Sequence, residues 1–195
     1  MMARERMFLK KYLLIICFLF PVTANAAQEA KKWQLDAGQS AIRFSVAIEG
    51  SPAGGEFTNF TAAIAFDPEN MAQSKVVVRI DLNYIEAAYS DVAENLKKKD
   101  WFDIENFPTA RFVSTNFKHL GGKAYQVTGE FSLRDITRAE VLYFTLEEYD
   151  EHQAVIKGKM VINRLDYGVG QGVWRNVSSV SGQVFLDILI TAISE

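Results

Sequence analysis

Apolar and polar residues alternate along most of the chain with a period of two, the spacing that sends successive side chains to opposite faces of a β-strand. Ile42, Phe44, Val46 and Ile48 alternate with Arg43, Ser45 and Ala47, and Val76, Val78 and Ile80 with Val77, Arg79 and Asp81. Tyr125, Val127, Gly129, Phe131 and Leu133 alternate with Gln126, Thr128, Glu130 and Ser132, and Val184, Leu186, Ile188 and Ile190 close the chain in the same way. Weaker strands are predicted over 57–66, 111–117, 141–146 and 154–162. The turn-rich segments Asp67-Pro68-Glu69-Asn70 and Leu120-Gly121-Gly122-Lys123 join consecutive strands. One short helix is predicted over 90–99, capped by Ser90 or Asp91, with Lys97 to Lys99 favourably placed at its C-terminal end. Roughly eight strands with near-neighbour turns predict an all-β antiparallel sandwich or barrel. The pattern does not separate the two, although closure removes exposed edges and an eight-stranded barrel has room for one ligand.

The start of the chain follows a different pattern. Arg4, Arg6, Lys10 and Lys11 precede an apolar run from Tyr12 to Phe20, and Ala24-Asn25-Ala26 supplies small residues at the two positions a signal peptidase inspects. This predicts a signal peptide over 1–26 and a single domain over 27–195. The run is far shorter than the ~20 residues of a membrane-spanning helix, so no transmembrane segment is expected after processing. Cys17, the only cysteine, follows Ile16, which is too large for a lipoprotein signal. The expected domain therefore has no disulfides and no thiolate metal site. The whole chain carries a net charge of −3. The leader contributes four cations against Glu5, so its removal leaves about −6. An acidic domain is a poor partner for nucleic acid.

Catalytic chemistry is sparse. His119 and His152 are the only histidines, and both fall near predicted turns among polar residues. The acidic run Glu147, Glu148, Asp150 and Glu151 lacks the alternating spacing and central glycine of an EF-hand and reads as a solvated turn. Gly168-Val169-Gly170-Gln171-Gly172 invites a phosphate-cradle reading, but Val173 to Asn176 lead toward another strand, and a dinucleotide fingerprint must open a helix. A glycine-rich bend is expected instead. Asn59-Phe60-Thr61 and Asn176-Val177-Ser178 fit the short glycosylation pattern, which carries no weight alone. Aromatic residues concentrate on strands, as they would in an ordinary core or around an apolar ligand.

Motifs along the chain bear a family resemblance. Trp33-Gln34-Leu35-Asp36, Ser40-Ala41-Ile42-Arg43-Phe44, Gly55-Glu56-Phe57-Thr58-Asn59-Phe60 and Ile64-Ala65-Phe66-Asp67-Pro68 come first. Ile80-Asp81, Leu96, Asp100-Trp101-Phe102-Asp103 and Phe107-Pro108-Thr109-Ala110-Arg111-Phe112-Val113-Ser114 follow. Val127-Thr128-Gly129-Glu130-Phe131 and the run Ile162 to Gly172 complete the series. In order and spacing the chain resembles the YceI-like polyisoprenoid-binding family from Trp33 to its end. It departs from that pattern at Gln39, where the family often has His, at Val92-Ala93, where an Arg-Asp pair is usual, and at Asp135, where glycine is usual.

The resemblance implies an extended, lipocalin-like eight-stranded antiparallel barrel with a short helix, set in the periplasm and holding an isoprenoid or quinone-type lipid. Lumen candidates are Phe44, Phe57, Phe60, Ile80, Ile85, Trp101, Phe102, Phe112, Phe131, Phe144 and Trp174; head-group candidates are Arg43, Asn163, Arg164 and Arg175. Ten buried carbons would contribute about 8 kcal/mol before ordering costs. The expectation is a binding or carrier protein, not an enzyme. It has no cofactor beyond the bound lipid, and a homodimer is an open option. The rivals are a ligand-free barrel acting through an envelope partner and an enzyme acting on a lipid held in the lumen.

Overall fold

The structure, a computed structural model, describes residues 29–194; the expected leader lies outside the described residues. Eleven strands follow in order: β1 (Lys32–Leu35), β2 (Ala41–Ile48), β3 (Ser51–Phe57), β4 (Phe60–Ala65), β5 (Lys75–Asp81), β6 (Ile85–Ala87), β7 (Thr109–Gly121), β8 (Ala124–Leu133), β9 (Ile136–Tyr149), β10 (Gln153–Asn163) and β11 (Gln183–Ser194). Among the described residues there is one α-helix, α1 (Ser90–Lys97), between β6 and β7.

Eight of these strands close a ring in the order β1-β4-β5-β7-β8-β9-β10-β11, with β11 returning to β1 and every pairing antiparallel. The fold is thus a closed barrel, not a sandwich. Closure depends on β11 forking: residues 192–194 pair with β1, while Phe185–Leu189 pair with β2. From there β2, β3 and β6 continue the sheet beyond the ring, and β2 and β3 add side chains to the wall of the interior.

Strand parity sets what faces inward. In β8, Tyr125, Val127, Phe131 and Leu133 are buried at alternate positions. β7 and β9 each change parity partway. Thr115 has no partner between the pairs Ser114–Gly129 and Asn116–Thr128, so inward positions shift from Phe112 and Ser114 to Phe117. In the same way β9 skips Glu147, and Tyr149, not Glu148, continues the row of Phe144 and Leu146 against Trp33 and Phe66. Such bulges add twist and bend to a strand, which a closed barrel requires.

Several local expectations are corrected. The predicted strand over 57–66 breaks at Thr58–Asn59, where the backbone bonds to Tyr84 and Asp81 instead of continuing a ladder. Neither Ser90 nor Asp91 caps α1: Tyr89 holds the N-cap position without a side-chain bond, and the Asp91 carboxylate accepts the Val92 N–H at 3.0 Å. The segment after Gly172 is a 3-10 turn over Gly172–Arg175, not a strand.

Candidate functional site

Inward-facing side chains of the ring strands and of β2 enclose an elongated cavity of about 440 Å³. At one end it is bounded by Trp33, Phe66, Phe117, Val127 and Phe144. Trp33 is 2% exposed and donates its indole N–H to the Phe66 carbonyl at 2.9 Å, so the polar atom of this large ring is satisfied away from the lumen. The middle is walled by Val78 and Ile80 of β5, Phe112 of β7, Leu142 of β9, Ile156 and Met160 of β10, and Leu186 and Ile188 of β11. Three elements meet at the opposite end: α1, the tip of the β2–β3 hairpin and the loop over 171–180. Ile48 and Val180 form a bridge between the hairpin and that loop, and Glu49 donates its N–H to the Ser179 carbonyl. Among the lining residues only Asp91 and Trp174 are exposed, so the cavity reaches water here.

Apart from the tryptophan indoles, polar side chains in the lining are limited to Asp91, Asn95 and Arg164. Arg164 is 2% exposed and gives all five of its N–H groups to backbone carbonyls: Nε to Ser181, one terminal nitrogen to Val169 and Gly170, the other to Trp174 and Val180. Burial lowers its pKa from the usual guanidinium value. The glycine-rich bend is shaped around this side chain. Gly170 has φ +79°, and a Cβ there would lie 2.0 Å from the guanidinium. The segment thus wraps an arginine rather than a phosphate. Nearby, Arg134 donates to the carbonyls of Trp101 and Gly168 at 2.9 and 2.6 Å, joining the segment after α1 to the same bend. Tyr167, fully buried, donates its hydroxyl to the Glu140 carboxylate at 2.5 Å; burial and that carboxylate raise its pKa.

Nine of the eleven lumen candidates line the cavity: Phe44, Phe57, Ile80, Trp101, Phe102, Phe112, Phe131, Phe144 and Trp174. Phe60 and Ile85 belong to the apolar cluster around Phe57 and Leu82 but do not themselves line the cavity. Among the head-group candidates only Arg164 lines it. Arg43 points outward and pairs with Glu56 at 2.8 Å, Asn163 caps the following 3-10 turn by accepting the Leu165 N–H, and Arg175 is exposed on the loop. Asp91 and Asn95 escaped the sequence reading. Their i, i+4 spacing puts them on one helix face, but no sequence signal says which face meets the lumen.

His119 stacks on Tyr125 at 4.6 Å and contacts the Gly122 carbonyl through Nε2, and His152 is exposed in the β9–β10 turn. Among the described residues no group of three His, Cys, Asp or Glu is placed to hold a metal ion, and no helix is long and apolar enough to cross a membrane.

An apolar lumen inside a closed antiparallel barrel defines a binding-type barrel. The chain belongs to the YceI-like family, whose domain matches residues 33–192. A UPF0312 protein of Shewanella denitrificans is 26% identical over 96% of this chain and 100% of its own length. Another, of Photorhabdus laumondii, is 35% identical over an aligned region that spans 45% of each chain. Among solved structures, BcnA of Burkholderia cenocepacia superposes with a TM-score of 0.77 at 26% identity, covering 81% of this chain and 99% of that one. A polyisoprenoid binding domain from Saccharophagus degradans, implicated in plant cell wall breakdown, shares the fold with a TM-score of 0.68 at 14% identity, over 85% of this chain and 99% of its own.

Proposed function

We propose that this protein holds a polyisoprenoid lipid in its lumen and carries it through the aqueous periplasm. A quinone-type lipid is the finer version of that reading. The observation that carries it is the cavity: about 440 Å³, walled by inward rows of Phe, Trp, Ile, Leu and Val, with three polar side chains besides the tryptophan indoles, all near one end. Such a wall suits a long flexible apolar chain, since burial of apolar surface needs no directional partners and specificity can rest on tunnel shape. The Saccharophagus domain, named for polyisoprenoid binding, shares the architecture, and the leader expected over 1–26 supports export. The reading is of a binding protein, without turnover of its ligand.

A variant that fills the lumen tests it. Ala62 lines the cavity on β4, opposite Val78. Ala62→Trp is expected to cut calorimetric affinity for geranylgeraniol by about tenfold or more while circular dichroism stays that of the parent. Equal affinity in the two proteins, or none in the parent, would overturn the proposal.

A further inference from the structure

We infer that the lumen selects lipids with an uncharged head group, an alcohol, quinone or amide, over phosphorylated or carboxylate lipids of the same chain, with the head lying against Asp91 and Asn95. This rests on the lipid-binding reading above and adds to it the class of head group.

Arg164 is the only cation in the lining, and it is spent. A guanidinium has five N–H donors, and all five here point at carbonyl oxygens between 2.6 and 3.2 Å away. To grip a phosphate it would have to abandon buried carbonyls, leaving them without partners. Gly170 against the guanidinium leaves no slack for such a move. An anion drawn into the apolar lumen would therefore lose its hydration with no uncommitted cation in the lining to replace it.

The two remaining polar groups suit a neutral head. Asp91 spends one carboxylate oxygen on the Val92 N–H and keeps acceptor capacity for a hydroxyl, while its charge repels an anion at the opening. Asn95 accepts Lys98 Nζ at its Oδ1, at 2.6 Å. That fixes the amide and frees its NH₂ for a carbonyl or hydroxyl oxygen. The lysines nearby do not reverse this. Lys97 is paired with Glu94 at 2.9 Å; the Lys98 ammonium is tied to Asn95 Oδ1 on the side away from the lining, and Lys98 and Lys99 are both exposed, where water and salt screen them.

Calorimetry with a chain-matched pair, geranylgeraniol and geranylgeranyl monophosphate, both as monomers, decides the matter. The alcohol is expected to bind about tenfold or more tightly than the phosphate. Asp91→Asn should narrow that ratio by strengthening phosphate binding, and Asn95→Leu should weaken the alcohol without affecting the headless hydrocarbon geranylgeranene. Phosphate binding as tight as alcohol binding overturns the inference while the lipid reading stands. Failure of alcohol, phosphate and hydrocarbon alike overturns both.

Discussion

Arg164 carries a buried charge that no carboxylate answers among the described residues, and its five carbonyl partners all come from the connection between β10 and β11. It is a structural knot for the cavity's open end. Hydrogen bonds to charged groups contribute about 1.5–3 kcal/mol each. Arg164→Met, which keeps the apolar stem, is expected to cost about 3 kcal/mol in urea unfolding; stability unchanged to within about 0.5 kcal/mol would contradict the role. Tyr167 makes a second prediction. Its pKa is raised in the folded state by burial and by Glu140, so the folded protein holds the phenol proton more tightly than the unfolded chain. That contribution is fully present below about pH 10, the unfolded value, and is lost as pH rises above it toward the folded value. Burial raises Tyr125 and Tyr149 as well. Unfolding free energy should therefore fall between pH 9 and 11, about as ordinary tyrosines ionise, and fall less steeply in Tyr167→Phe. An equal slope in the two proteins would exclude Tyr167 as a source.

At the scale of elements, Gly129 shows how closely β7 and β8 are joined. A Cβ at this position would lie 2.3 Å from Phe112 Cζ and 2.6 Å from the Val113 carbonyl. Gly129→Ala should cost about 1–3 kcal/mol through overpacking and shift Phe112 into the lumen; unfolding as stable as the parent would show that the ring yields freely. What the sequence disclosed follows the same physics. β2, β5, β8 and β11 keep one parity over the stretches that face the lumen, so their alternation is plain. β7 and β9 read as weak because the bulges at Thr115 and Glu147 reverse parity midway. β1 and β6, four and three residues long, are too short to show a period. β3 carries Pro52, Gly54 and Gly55, which read as turn residues; a Cβ on Gly54 would lie 2.4 Å from the Phe44 carbonyl, a close approach that only the paired structure reveals.

At the scale of the whole molecule, alternation separated inside from outside but could not close the ring, because closure depends on the fork of β11 between β1 and β2. The same limit explains the site. Residues already inward by parity, such as Phe44, Ile80 and Phe131, could be named from the sequence, whereas the polar groups at the opening come from a helix and a loop whose orientation only the assembled barrel decides. The central claim is that this lumen holds a lipid. Native mass spectrometry of the detergent-free protein, followed by denaturing organic extraction, tests it most directly. The account predicts one adduct per chain, released on denaturation and identified as a long-chain isoprenoid. A protein that flies only at its unliganded mass, even after incubation with quinones and polyprenols, would contradict it.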